Sequence, residues 1–290
     1  MESFHATESG IRLDKFLSQK IKYSRQYVQK LISEQKISVN GKPVKNATII
    51  NEGDHLEIAV IDQPTENLIP QAIPLDIIYQ DSSLAIINKP SGLVCHPAPG
   101  HLTDTLQHAL LYHFPELNKT HERPGIVHRL DQFTDGLMVI AKIPEIQTKL
   151  QAQFKAHEVI KKYYAVINQE IVKDEWSMDG AIGRLPSDRK KFGVIGNGKE
   201  AFTTATVVER RKGKTLLRVD IKTGRTHQIR VHLFNAGFPV MGDPVYAPRK
   251  SRGNAQLLQS YYMEFNHPVS HTMMKFELPL SPRLANVFYG

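Results

Sequence analysis

Residues 61–75 read Ile-Asp-Gln-Pro-Thr-Glu-Asn-Leu-Ile-Pro-Gln-Ala-Ile-Pro-Leu. Three prolines and no apolar period prevent this stretch from continuing a helix or sitting inside a sheet. It therefore predicts an extended connector, and it cuts the 290 residues into two unequal folding units. The expected boundaries are a small module over 8–62, a linker over 63–75 and a large domain over 76–290.

The two parts differ in charge. Of 37 basic and 29 acidic residues, nine basic and only two acidic ones fall between Arg12 and Lys45. Nearly all of the net charge of +8 thus lies in the first part. Basic surface concentrated in this way is the footprint expected for a polyanion. The single cysteine, Cys95, excludes an internal disulfide framework and any CxxC metal knuckle. It fits a reducing compartment, so a cytoplasmic location is the expectation. The thirteen histidines form no HExxH motif, and no metal is expected. No GxGxxG or GxxxxGK[ST] loop points to a nucleotide cofactor. No run of about 18 apolar residues points to a membrane span, and Met1–His5 lacks the features of a signal peptide.

Within the basic part, Leu13, Phe16, Leu17 and Ile21 recur at helical spacing. Ser24 is placed to cap a second helix, with Tyr27, Val28, Leu31 and Ile32 facing inward. Asn40-Gly41 between alternating apolar residues predicts a tight hairpin, since both turn positions need positive φ. Gly53-Asp54 makes a further turn, and Leu56, Ile58 and Val60 alternate as a strand.

The large part mixes strands and helices without strict alternation. A hairpin is expected over Asp76–Tyr79 and Leu84–Asn88, and a helix over Thr103–His113. A buried strand follows at Leu137–Lys142, then a helix from Pro144 through Phe154. Strands near Ile160–Ile167, Ala201–Val208 and Leu216–Lys222 precede a helix over Thr226–Ala236 that stops at Gly237. This order predicts an α+β fold with a mixed, largely antiparallel sheet flanked by helices.

The segment His128-Arg129-Leu130-Asp131-Gln132-Phe133-Thr134-Asp135-Gly136-Leu137 puts a carboxylate on a loop feeding the buried strand. Loops held by a rigid sheet are where catalytic groups tend to lie. Its order resembles the catalytic motif of the RluA/RluD-type RNA pseudouridine synthases. Asn88-Lys89-Pro90-Ser91-Gly92-Leu93, Lys161-Lys162-Tyr163-Tyr164-Ala165 and Thr223–His232, followed by Gly242-Asp243-Pro244-Val245-Tyr246, resemble the same family in the same order. Gly10–Asp14, Ser24-Arg25, Val39–Lys42 and Gly53-Asp54 resemble the α-L RNA-binding module of ribosomal small-subunit protein four.

The first resemblance implies an isomerase that turns uridine into pseudouridine without a cofactor. Asp131 would be the essential carboxylate, Arg230 its ion-pair partner, and Tyr163 the ring that stacks on uracil, its hydroxyl assisting removal of the C5 proton. Because the base must leave its stack, base flipping is implied, with Arg129 entering the vacated space. Thr134, Arg225, Gln228 and the loop histidines His128 and His227 complete the expected substrate contacts. The second resemblance implies RNA contact by Arg12, Lys15, Lys22, Arg25 and Lys30. The expected partner is ribosomal RNA, chiefly bacterial large-subunit (23S) RNA, or a pre-ribosomal particle, bound by a monomer. Two competing readings are a non-catalytic RNA-binding or ribosome-assembly factor and a glycosidase-like hydrolase. The set Asp131, Tyr163 and Arg230 opposes the first, and the lack of a second acid in a matching motif opposes the second.

One residue departs from the family pattern. Asp135 stands where serine or threonine is usual, and it is expected to point to solvent or to cap the turn.

Overall fold

The structure, a computed structural model, describes every residue except 1, 22–24, 60–67, 99 and 120–123. It divides into two units, Met1–Asn67 and Leu68–Gly290.

In the smaller unit, the helices Leu13–Lys20 and Arg25–Ser33 pack over a four-stranded sheet. The strands lie in the order Glu2–His5, His55–Ile58, Ile37–Val39 and Lys42–Pro43. Leu13, Phe16 and Leu17 from one helix and Val28, Leu31 and Ile32 from the other bury against Ile37, Ile50, Leu56 and Ile58. The helical spacing of these residues is what makes both helices amphipathic. Asn40 and Gly41 adopt φ of 51° and 73°, the pair of left-handed conformations that a two-residue hairpin demands. The strand Glu2–His5 brings into this unit residues that precede position 8. The cap expected at Ser24 and the strand residue Val60 lie outside the described residues.

The larger unit is built on nine strands. Eight follow one another in space as Glu175–Asp179, Phe202–Arg211, Lys214–Ile221, Ile160–Ile167, Leu258–Asn266, Asp135–Ala141, Leu84–Lys89 and Asp76–Gln80. Met273–Glu277 also pairs with Leu258–Asn266. Every pairing is antiparallel except that between Leu258–Asn266 and Asp135–Ala141. Successive side chains of a strand face opposite sides of the sheet. Met138 and Ile140 therefore join a core with Leu106, Leu110 and Leu233. Leu137 and Val139 join another with Ile146 and Leu150 of the helix Pro144–Lys155. A strand covered on both faces reads as the unbroken apolar run seen at Leu137–Ala141.

The parallel junction sits directly behind the motif. It runs through Gln259 opposite Asp135 and Ser260 opposite Gly136. Gly136 has φ of 115°, and a Cβ there would collide with the Ser260 carbonyl. Only glycine lets the two strands approach this closely.

Residues 68–75 are less free than a connector. Leu68 and Leu75 pack on the core, the Gln71 amide donates to His108 O (3.1 Å), and His113 Nε2 donates to Ile73 O (2.8 Å). The second half of the predicted linker is thus a strap along the helix Leu106–His113, because its apolar side chains find the core.

Candidate active site

Asp131 lies on a loop held from two directions. From one side, the buried Lys89 Nζ donates to the carbonyls of Pro90 (2.8 Å), Leu93 (2.9 Å) and Gln132 (3.0 Å). Gly92 N also donates to Gln132 O (2.9 Å), and Ser91 Oγ to Phe133 O (3.0 Å). From the other side, Arg283 of the helix Pro282–Tyr289 donates to Gln256 O (2.8 Å), Phe133 O (3.3 Å) and Leu258 O (3.3 Å), and also to the Asp135 carboxylate.

Asp135 accordingly neither points to solvent nor caps the turn. It is buried at the first position of the strand Asp135–Ala141 and ion-paired with Arg283. The correction has a physical cause. The parallel junction buries this position, and a buried carboxylate needs a cation.

The Asp131 side chain is one-sixth exposed (17%) and receives Arg230 Nη1 on Oδ2 at 2.8 Å. Arg230, on the helix Gln228–Asn235, is itself buried. Its Nε and Nη2 donate to Asp243 Oδ2 (2.7 Å) and Oδ1 (3.0 Å). Asp243 is fully buried and also accepts from the amides of Val245 (2.8 Å) and Tyr246 (3.0 Å). One guanidinium thus serves two carboxylates. Burial opposes its charge, but hydrogen bonding to Asp243 and the nearby Asp131 outweigh that, and the pKa rises above the usual arginine value.

His227 caps this helix in a left-handed conformation (φ 58°, ψ 19°), which aims its ring at Asp131; Nε2 lies 3.9 Å from Oδ2. The Tyr246 hydroxyl accepts from Phe192 N (3.1 Å) and sits 2.9 Å from His227 Nδ1. No other acceptor meets this hydroxyl among the described residues, so the phenol proton goes to Nδ1 and the imidazole proton sits on Nε2. Burial lowers the His227 pKa, Asp131 opposing it only in part, so the ring favours the neutral form.

Asp131, His227 and Arg230 line a cavity of about 530 Å³ with Arg129, Thr134, Lys161, Tyr163 and Arg225. That volume suits a small organic ligand. Tyr163 is buried, and burial raises its pKa above the ordinary phenol value, with the hydrogen bond to Ser260 opposing and Asp131 adding to the rise. Its hydroxyl therefore stays protonated.

Residues 83–235 match the family described as RNA pseudouridylate synthase, and residues 11–56 match the S4 domain. The chain belongs to the RNA pseudouridylate synthase family. It is an RNA pseudouridine synthase carrying an S4 domain. It is 40% identical to an RNA pseudouridine synthase of Bacillus subtilis, over 95% of this chain and 92% of that one. It is 38% identical to ribosomal large subunit pseudouridine synthase D of Pseudomonas aeruginosa, over 93% of this chain and 89% of that one. Among solved structures, human RNA pseudouridylate synthase domain-containing protein 1 superposes with a TM-score of 0.61 at 25% identity, covering 74% of this chain and 87% of that one.

Not every expected contact of this synthase is open to substrate. Gln228 has both acceptor bonds and both donor bonds filled: Oε1 accepts from Thr223 Oγ1 (2.7 Å) and Arg225 N (3.0 Å), and Nε2 donates to Phe202 O (2.9 Å) and Thr203 Oγ1 (3.1 Å). It frames the loop before the helix instead. His128 Nε2 accepts from Val139 N (3.1 Å), and its ring stacks on Phe154 (4.5 Å). Burial, with Lys161 nearby, pushes its pKa down to about 3, so it is neutral. It fastens the loop to the strand. Thr134 is buried, and its hydroxyl accepts from Gln256 Nε2 (3.2 Å). Arg225 Nε donates to Glu200 O (2.9 Å), and the rest of its guanidinium borders the cavity. Arg129 is exposed at the rim, with no ion pair or hydrogen bond among the described residues.

In the S4 unit, Arg12 and Arg25 are not free cations. Both pair with the fully buried Asp14 at 3.0 Å, and Gln29 Nε2 donates to the same oxygen at 2.6 Å. Burial opposes ionisation of Asp14, but these hydrogen bonds prevail and hold its carboxyl at about 2. Lys15 and Lys30 are exposed, Lys30 lying 3.9 Å from Glu34. Lys22 lies outside the described residues.

Four functional residues escaped the sequence reading: Lys89, Lys161, Asp243 and Arg283. Lys89, Lys161 and Asp243 stood inside quoted motifs, but nothing in one sequence says that a lysine is buried or that a Gly-Asp-Pro turn holds an arginine. No signal pointed to Arg283.

Proposed function

We propose that this synthase isomerises specific uridines of large-subunit ribosomal RNA through Asp131, working in the cytoplasm on a flipped base and without a cofactor. The observation that carries the reading is the pairing of Asp131 with Arg230 in the cavity that Tyr163 lines. Arg230 donates to Oδ2 at 2.8 Å and so orients the carboxylate. Oδ1 has no hydrogen bond among the described residues and is left to face the ribose.

The reaction breaks the N1–C1′ bond, turns the uracil and forms C5–C1′, with the C5 proton lost and N1 protonated. Asp131 serves either as the nucleophile at C1′ or as the base that takes a ribose proton. Tyr163, held protonated, offers a ring to stack on and a donor, rather than a base. A duplex uridine cannot reach this depth without leaving its stack. The exposed Arg129 at the rim is placed to fill the gap. Homology to ribosomal large subunit pseudouridine synthase D and the S4 unit support the ribosomal assignment.

Two experiments test this. Pseudouridine is mapped in total RNA from cells with and without the protein. The RNA holding each lost site is then incubated with wild type and Asp131→Asn. Loss of large-subunit sites in cells, isomerisation by wild type with no added cofactor, and a fall of more than about three orders of magnitude in the variant are expected. Binding of that RNA by wild type with no pseudouridine formed would refute the reading.

A further inference from the structure

Lys161 is a buried cation of the cavity that the proposed reaction leaves without a task. It lies on the strand Ile160–Ile167, two positions before Tyr163, and is 9% exposed. Its Nζ has no ion pair and no hydrogen bond among the described residues. The ring of Phe154 lies 5.4 Å away on one side. On another is Gly224, where even a Cβ would come within 3.5 Å of Nζ. Lys161 and Gly224 both line the cavity.

A buried ammonium without a partner is costly, and it persists where a ligand supplies the missing charge. No carboxylate nearby does so. Asp131 and Asp243 are both held by Arg230, and Asp135 by Arg283. Burial therefore pulls the pKa of Lys161 down to about 8 with nothing opposing it. The contrast with Lys89 is instructive: fully buried, Lys89 is surrounded by three carbonyl oxygens. Uracil and ribose carry no negative charge, whereas the sugar–phosphate chain carries one at every linkage.

We propose that Lys161 is the seat for a backbone phosphate next to the nucleotide whose base reaches Asp131. The site is a single compact cation walled by an aromatic ring and a glycine, which suits one phosphate oxygen rather than a bidentate carboxylate. It would fix the register of the chain, so that only the nucleotide at one spacing from the phosphate delivers C1′ to Asp131. This assignment rests on the proposed reaction for its ligand.

The test uses the full chain and an oligoribonucleotide spanning the mapped uridine or, if mapping finds none, the tightest-bound stem–loop of large-subunit RNA. Each phosphate flanking the uridine is replaced in turn by a neutral methylphosphonate, and affinity is measured across a salt series. One linkage is expected to weaken wild-type binding about tenfold and to lower the salt slope by about one phosphate's contribution. Lys161→Met should show the same loss on unmodified RNA and no further loss at that linkage, while Lys161→Arg retains most of the affinity. Penalties that multiply at every linkage would overturn the proposal. So would a fall in kcat for Lys161→Met with affinity and salt slope unchanged, which would make Lys161 a proton donor. Affinity is the readout, so RNA bound but never isomerised would defeat the proposed reaction and still decide the role of Lys161.

Discussion

The two units bury ion clusters of opposite design. In the S4 unit one carboxylate, Asp14, collects two guanidiniums and an amide. In the catalytic unit one guanidinium, Arg230, collects two carboxylates. In each case the hub is buried and a satellite reaches the surface. The Arg12 and Arg25 side chains are about half exposed (44% and 49%), and Asp131 opens on the cavity. The charge left over therefore differs in sign. The first cluster shows a net positive charge to its surroundings, as a phosphate chain requires. The second keeps one carboxylate in surplus at the cavity. Burial of the hub fixes the geometry, and the surplus sets what each surface can do.

Arg230→Met strikes this contrast hardest. It leaves Asp243, fully buried, with two backbone amides as its hydrogen-bond donors among the described residues. Stranding a buried charge typically costs about 3–5 kcal/mol, and Asp131 loses its partner as well. Denaturant unfolding should show that loss, and pseudouridine formation should fall by at least about a hundredfold. Asp131→Asn, by contrast, should keep wild-type stability to within about 1 kcal/mol, because its neutral carbonyl can still accept from Arg230. Equal stability costs for the two variants would mean that Arg230 does not serve Asp243.

Asp14→Asn strikes the opposite cluster, with a smaller effect because its satellites are partly solvated. The folded carboxyl titrates at about 2, below the ordinary 3.8. Its ionised form stabilises the fold fully above about pH 4, and that contribution disappears as pH falls toward 2. The shift corresponds to about 2 kcal/mol, reduced toward about 1 kcal/mol by solvent screening of the half-exposed arginines. Hydrogen exchange of amides in the helix Arg25–Ser33 should be faster in the variant near pH 5, with the difference shrinking on acidification. A difference that persists to pH 2 would show that the charge of Asp14 is not what matters.

The candidate set was legible because it is written locally. His128–Leu137, Lys161–Ala165 and Thr223–His232 each hold, within ten positions, one of the three residues Asp131, Tyr163 and Arg230 that line the cavity. The S4 helices were legible for a related reason, since Leu13, Phe16 and Leu17 declare a face by spacing alone. What supports Asp131 was not written locally. Arg283 lies 150 positions from Phe133, whose carbonyl it binds. The strand Leu258–Asn266 inserts between two strands formed more than ninety residues earlier in the chain. Nothing in the sequence marks the lysines at 89 and 161 as buried, since lysine seldom is. Only the assembled sheet shows that one is spent on carbonyls and that the other has no hydrogen bond or ion pair among the described residues. Gln228 and His128 stood in the motifs, and in the structure both bond the loops that carry the motifs.

Asp135→Ser gives the smallest effect and tests the motif itself. It restores the residue usual in the family beside Thr134. If Asp135 acted electrostatically on Asp131, removing its charge would shift the acid limb of the pH–rate profile. The Arg283 ion pair argues against that, since the charge of Asp135 is neutralised within its own pair. Arg283 would still donate to the carbonyls of Phe133, Gln256 and Leu258, so it would not be left without acceptors. The stability cost should therefore stay within about 1 kcal/mol. The pH–rate profile of the variant should overlay that of wild type. An acid limb displaced in the variant would place Asp135 in the catalytic site, and the cluster around Arg230 would no longer account alone for the charge that Asp131 feels.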